Sequence, residues 1–150
     1  MRNKFLIVLL TFFLSSNSFA ENISIVAKNI SFDKDKNITI FEDEVVVKTK
    51  NKTISSEYAK YNRKLGILIL KKNIIVIDDK NNKVQTEYAE YYEKKQLLTT
   101  KGETKINTTD NYILNGEDIT VDNENKSIIS NKSSILIDND GNEIFLENFE

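Results

Sequence analysis

The chain has 150 residues, with 21 lysines and arginines against 23 aspartates and glutamates, and its net charge is −2 at pH 7. Charges of both signs are interspersed, so no basic stripe follows a phosphate backbone and nucleic acid is excluded as a partner. Histidine, cysteine and proline are absent. The first two absences remove disulfides, the usual general base and most zinc sites, so stability must come from strand pairing and burial.

The first twenty residues have the pattern of a secretory signal peptide. A positively charged start precedes an apolar run over residues 5–14, and small residues follow at Ser18 and Ala20. The run is too short to span a bilayer, which takes roughly 20 residues. We predict cleavage between Ala20 and Glu21, export, and one domain over residues 21–150. An uncleaved N-terminal anchor is the alternative.

A thirty-residue repeat organises the rest of the chain. Residues 54–76 recur at 84–106, and both copies contain Ser/Thr-Glu-Tyr-Ala followed two residues later by tyrosine. The alanine position recurs at spacings of 29, 30, 30 and 30, at Ile30, Ala59, Ala89, Ile119 and Phe149. Five residues before each of these anchors stand only apolar residues: Ile25, Ile54, Val84, Leu114 and Ile144. Such a period predicts stacked units that bury each other's apolar faces.

The units are predicted to be almost entirely strand. Short runs of β-branched and aromatic residues alternate with polar residues and are separated by Asn- and Asp-rich turns. Residues 87–98 also have helical spacing, but their repeat copy at 57–68 leads into a strand, so we predict strand-turn-strand for both. The apolar positions change from even to odd before each alanine, which predicts a β-bulge there. A column of small residues, which comprises Ala27, Ser56, Thr86 and Gly116, indicates close approach between layers.

No catalytic or metal site emerges from the polar residues. The carboxylates lie mainly in turns or alternate with lysines, and no pair stands out for acid–base chemistry, so we predict no enzyme activity and no cofactor. Residues 138–142 resemble the front of a calcium loop. However, the glycine comes early and Phe149 stands where the final glutamate ligand belongs. A hairpin turn with Asp140-Gly141 at its tip is the favoured interpretation.

The apolar interior is the remaining candidate site. A sheet stack that is open at its ends presents a groove lined by one face of every strand, and apolar ligands bind such concave surfaces. The predicted lipid-binding residues form two columns: Ile25, Ile54, Val84 and Leu114, with Ile40, Ile69 and Ile129. An ordinary core has the same composition, so a dry core remains the alternative for all seven.

The repeat resembles the organic solvent tolerance (OstA-like) domain family. Members of this family form the lipopolysaccharide transport protein LptA and the N-terminal periplasmic domain of the assembly protein LptD. The match rests on Ala59-Lys60-Tyr61-Asn62 with residues 73–76, on Ala89-Glu90-Tyr91 with residues 102–106, and more loosely on Ile30-Ser31-Phe32-Asp33 with residues 44–47. The family glycine is present only at Gly102.

The resemblance implies a periplasmic β-jellyroll of antiparallel strands, open at both ends. It also implies an apolar interior that shields lipopolysaccharide acyl chains, and edges that pair with related jellyrolls or with another copy. The fifth unit starts at Ile144 and the sequence stops at Glu150, so we expect either a longer protein or a last strand completed by a partner.

Two hypotheses therefore compete. The first is a non-enzymatic lipopolysaccharide-binding and transport domain. The second is a structural or polymerising β-solenoid with a closed core and no lipid. A lectin-like sandwich is a third, but tryptophan is absent and no polar-aromatic cluster stands out.

Overall fold

The structure is a computed structural model that describes residues 23–149. In this range thirteen strands form one antiparallel sheet, which confirms the all-β fold and the antiparallel arrangement that the family resemblance implies. The strands are β1 (Ser24–Val26), β2 (Asn29–Asp33), β3 (Ile38–Lys48), β4 (Lys52–Asn62), β5 (Ile67–Asp78), β6 (Lys83–Tyr92), β7 (Leu97–Thr100), β8 (Glu103–Asn107), β9 (Ile113–Glu117), β10 (Thr120–Asp122), β11 (Ser127–Ile129), β12 (Ser134–Ile137) and β13 (Glu143–Leu146). The predicted signal peptide and its cleavage site at Ala20 and Glu21 lie outside the described residues.

The sheet is divided into two halves that share the four long strands β3 to β6. Half-sheet 1 has the strand order β1-β3-β4-β5-β6-β8-β9-β12-β13. Half-sheet 2 has the order β2-β3-β4-β5-β6-β7-β10-β11. Their buried residues belong to one hydrophobic cluster. The sheet therefore folds over on itself, and the side chains between the halves form a single core.

The fold line between the halves is a row of β-bulges. The pairing register shifts at 42–45 in β3, at 55–58 in β4 and at 71–74 in β5. This confirms the predicted change of register before Ala59, although the extra residues lie on the neighbouring strands. Those residues include Asp43, Glu44, Lys72 and Asn73, and all four have positive φ. Each bulge turns the strand so that both of its ends face the same core.

Polar side chains bridge successive strands along the fold line. Glu57 accepts a hydrogen bond from the Asn73 side chain, and the Asn73 N–H donates to Glu87 Oε2 at 3.2 Å. One repeat later, the Gly102 N–H donates to Asp118 Oδ1 at 2.8 Å, and Lys132 pairs with that carboxylate at 2.7 Å. In both places a backbone N–H at the bend is therefore satisfied by a carboxylate of the next repeat, although the repeat positions differ.

The predicted strand-turn-strand segments are confirmed at both sites of helical spacing. Residues 57–68 run from β4 through a turn into β5, and residues 87–98 run from β6 into β7. Only a short 3₁₀ turn, Glu93–Lys95, interrupts the second segment. The hairpin turn at residues 138–142 is also present, with Gly141 at φ +87° and its N–H donating to the Asp138 carbonyl.

Candidate functional site

One apolar residue from every strand of half-sheet 1 lies in a single column across the sheet. The pairing registers connect these residues in order, from one edge of the half-sheet to the other. This apolar column consists of Ile25, Val47, Ile54, Val76, Val84, Ile106, Leu114, Leu136 and Ile144. All but Ile144 are buried in the core or pack against it. The column is therefore a continuous apolar strip on the inner face.

Four of the seven predicted groove residues lie on the apolar column. Ile54, Val84 and Leu114 are buried in the core, and Ile25 packs against it at the edge. The repeat position five residues before each anchor therefore does mark the inner face. Whether these residues bind lipid remains a prediction.

The other three predicted residues lie on the opposite face, so their assignment to the same inward surface is wrong. Ile40 pairs with Lys60, and Lys60 pairs with Ile69, which in turn pairs with Glu90. The same row continues through Thr99 and Thr120 to Ile129. A row that contains a lysine and a glutamate between half-buried isoleucines is an outer face.

This error has a physical cause. Residues 67–70 read Ile-Leu-Ile-Leu, and residues 128–129 are both isoleucine. Alternation cannot assign a face to a continuous apolar run. The inner residues that we missed on the apolar column, such as Val47, Val76 and Ile106, stand seventeen residues after an anchor. This regular seventeen-residue spacing could have identified them as inner residues from the sequence.

The core is open to solvent at both edges of the sheet. On β2, Ile30 and Phe32 are 60% and 58% exposed, although Ile30 pairs with the buried Phe41 and shares its inner face. On β13, Ile144 is 46% exposed at the end of the apolar column. β2 and β13 each pair along one side only. Each edge therefore presents apolar side chains together with backbone groups that a further strand would satisfy.

A narrow slit separates the two half-sheets on the side opposite the fold line. It has a volume of about 100 Å³. Lys52, at the start of β4, lies in this slit and is only 5% exposed. Its Nζ lies 5.0 Å from the ring centroid of Tyr91, a fully buried residue of half-sheet 2.

A larger concavity of about 930 Å³ lies outside the core. Gln85, Lys105 and Asn115 share its floor with Ile75 and Ile135, and Glu87, Glu103 and Glu117 follow one rim. Polar and charged groups interrupt its apolar surface on β6, β8 and β9. The apolar column is therefore the better surface for hydrocarbon.

Three tyrosine–glutamate hydrogen bonds shift pKa values in and beside half-sheet 2. Tyr61 O–H donates to Glu93 Oε2 at 2.8 Å, and partial burial together with this bond raises the pKa of Tyr61 to about 12. On the outer face, hydroxyl donation from Tyr92 and Tyr88 lowers the pKa of Glu90.

Two other kinds of site were searched for in residues 23–149. No three histidine, cysteine, aspartate or glutamate residues in this range converge to hold a metal ion. The same range has no helix of the length and hydropathy needed to cross a membrane.

Comparison with known proteins gives a likeness in structure but none in sequence. No family profile matches the sequence, and no curated protein sequence matches it. Among solved structures, the chain is similar to LptH of Pseudomonas aeruginosa, the LptA-homologous periplasmic component of the conserved lipopolysaccharide transport device. The TM-score is 0.66 at 11% sequence identity, over 72% of this chain and 80% of the LptH chain. At that identity the likeness shows the fold, and the chain has an open, LptA-like β-jellyroll.

Proposed function

We propose that this protein is a non-enzymatic, lipopolysaccharide-binding domain of a periplasmic transport system, in which the interior shields acyl chains from water. The observation that carries the proposal is the apolar column, which crosses half-sheet 1 from Ile25 to Ile144. The similarity to LptH supports the same function. Each methylene transferred from water to such a surface contributes about 0.8 kcal/mol, so a bound acyl chain needs no polar anchor inside the core.

A structural protein with a closed core is the second candidate. It is favoured by the tight packing around Ile54, Leu68 and Leu70, which are fully buried, and by the small volume of the slit. Ligand pockets usually have about 300–1,000 Å³. In the carrier, the half-sheets therefore have to separate when lipid enters, whereas in the structural protein they stay closed.

Photocrosslinking in cells separates the two candidates. A benzoylphenylalanine at Leu114 faces the interior, and the same residue at Ile69 faces outward as the matched control. The carrier predicts lipopolysaccharide adducts at Leu114 and few at Ile69. Adducts to protein alone at Leu114, in a variant that is exported and folded, would leave the structural protein as the function.

We also propose that the exposed edges pair with related jellyrolls of the transport system or with a second copy of this chain. The support is the combination of one-sided strands and exposed apolar residues at β2 and β13. The substitution Ile30→Glu places a charge on the exposed edge strand β2. It is expected to abolish association of the protein in sedimentation experiments. Leu65→Glu changes a residue that is equally exposed but lies in a turn, and it should not alter association. Equal association by both variants would refute edge pairing.

A further inference from the structure

Two neighbouring turns at the free end of half-sheet 2 carry an excess of positive charge. They are residues 63–66, between β4 and β5, and residues 93–96, between β6 and β7. Their cationic side chains are all exposed: Arg63, Lys64, Lys94 and Lys95. The Glu93 N–H donates to the Gly66 carbonyl at 2.9 Å, so the two turns lie against each other. We call the four cations and Leu65 the basic lip.

The charge of the basic lip is not neutralised within the described part of the chain. No salt bridge in residues 23–149 involves any of the four cations. Glu93 is the only carboxylate of the two turns, and it accepts the Tyr61 hydroxyl at 2.8 Å. The flanking turns at 34–37 and 123–126 are nearly balanced, with Lys34, Lys36 and Lys126 against Asp35 and Glu124.

An apolar side chain stands among these cations. Leu65 is 55% exposed. Asn62 closes its turn, because the side-chain oxygen accepts from the Leu65 N–H at 3.1 Å and the carbonyl accepts from the Gly66 N–H at 2.9 Å. The turn is therefore internally satisfied while its leucine remains at the surface.

The turns on the other side of the slit have the opposite charge. They belong to half-sheet 1 and comprise residues 49–51, 79–82, 108–112 and 138–142. Their charged residues are Asp79, Asp110, Asp138 and Asp140 against Lys50 and Lys80. The whole chain is also acidic, with a net charge of −2. A negatively charged surface therefore attracts the basic lip and repels the opposite turns, which selects one orientation of the molecule.

We propose that the basic lip docks this protein on a membrane surface that contains anionic lipids. The cations meet the phosphates of the head groups, and Leu65 reaches the hydrocarbon below them. The combination of cations with a central leucine favours a lipid surface over free phosphate, which offers nothing to the leucine. This inference goes beyond the proposed function, because it requires no acyl chain in the core.

Vesicle flotation tests the docking with the exported form, residues 21–150. One set of vesicles contains phosphatidylcholine alone, and the other contains phosphatidylcholine and phosphatidylglycerol in equal parts. At low ionic strength we expect the protein to bind the anionic vesicles about tenfold more tightly or better. High salt should remove most of this preference, because it screens exposed charges.

Two matched double variants locate the binding surface. Each basic residue near an anionic membrane contributes about fivefold to binding, so Lys64→Gln with Lys94→Gln should weaken it about 25-fold. Lys50→Gln with Lys80→Gln makes the same change of charge at exposed lysines on the other side of the slit. This second pair should leave vesicle binding unchanged.

Fluorescence reports whether the leucine enters the bilayer. The chain has no tryptophan, so Leu65→Trp supplies a single reporter. Its emission is expected to shift to the blue with anionic vesicles. Tyr112→Trp, at an exposed residue of the opposite turns, is the control and should not shift.

Equal binding to the two kinds of vesicle, equal losses in the two double variants, or an unchanged spectrum at Leu65→Trp would each overturn the docking. So would the absence of any vesicle binding, which is expected if the basic lip binds an acidic protein instead. None of these measurements depends on lipid inside the core. Their failure would leave the proposed function intact, and failure of the Leu114 crosslink would leave the docking intact.

Discussion

Gly116 on β9 lies directly against Ser134 on β12. A Cβ at Gly116 would stand 2.2 Å from Ser134 Oγ and 3.0 Å from its Cβ. The small-residue column predicted close approach between layers, whereas this approach joins two neighbouring strands of half-sheet 1. The contact lies beside the fold line, and the missing Cβ of Gly116 leaves space for the serine side chain.

Gly116→Ala is therefore expected to destabilise the protein by about 1–3 kcal/mol through overpacking. Urea unfolding followed by circular dichroism measures the effect. Ser134→Gly removes the obstructing atoms, so the double variant should lose less stability than the sum of the two single variants. Strict additivity would show that the two residues do not compete for the same space.

The buried hydroxyl of Thr100 links β7 to the segment before β10 through hydrogen bonds. It donates to the Ile119 carbonyl at 3.1 Å and accepts from the Ile119 N–H at 2.9 Å. Thr100→Val keeps the shape but leaves that N–H without its acceptor, which costs about 1–3 kcal/mol. Thr99→Val, the neighbouring position on the outer face, is the control. Equal unfolding midpoints for the two variants would contradict the assignment.

The bulge in β5 puts a lysine in a left-handed conformation. Lys72 has φ +65°, and its ion pair with Glu57 is long, at 3.9 Å, and exposed. A β-branched residue tolerates this conformation poorly, so Lys72→Val is expected to lower stability by about 1–2 kcal/mol. Lys71→Val, one residue earlier in the regular strand, should be near neutral. If both valines have the same effect on the urea midpoint, the strain is not located at the bulge.

The environment of Tyr61, which includes its contact with Glu93, makes the free energy of unfolding decrease as pH rises into the alkaline range. Partial burial and the hydrogen bond to Glu93 raise the folded pKa of Tyr61 to about 12, above the ordinary tyrosine value of 10.0. The unfolded chain therefore loses this proton first as pH rises, and the stabilisation is complete below about pH 10 and declines between pH 10 and 12. Tyr61→Phe should flatten that decline in urea unfolding and remove a tyrosinate step near pH 12 from the ultraviolet titration. Tyr112→Phe, which removes a more exposed hydroxyl, should change neither the slope nor that step.

The repeat made most of the fold predictable, because residues at the same distance from each repeat anchor lie on the same face of the sheet. Ile54, Val84 and Leu114 could be placed inward from sequence alone for this reason. Ile69 could not, since it stands in an unbroken apolar run where both faces of the strand look alike. The bulge was visible in the sequence because the apolar positions change from even to odd residue numbers before Ala59. Which strand holds the extra residue was not visible, because the change from even to odd is read along one strand, whereas the register depends on both paired strands.

The burial of Lys52 was missed for a different reason. Lys52 is the first residue of β4 and follows a lysine-rich turn, where solvent exposure is the ordinary expectation. Its burial follows from the fold of the sheet, which brings the start of β4 under Tyr91. Two residues in different repeats and different half-sheets share no sequence pattern that would connect them.

The row of bulges has a consequence for how such a molecule can change in size. The bulges in β3 and β5 stand at the same offset from their anchors, and the bends at Asn73 and Gly102 are satisfied by carboxylates of the following repeat. The sheet is open, so the last strand does not pair with the first one. The geometry therefore does not fix the number of repeats. Duplication or loss of one thirty-residue segment would then lengthen or shorten the molecule while the remaining turns, bends and inner strip kept their shape.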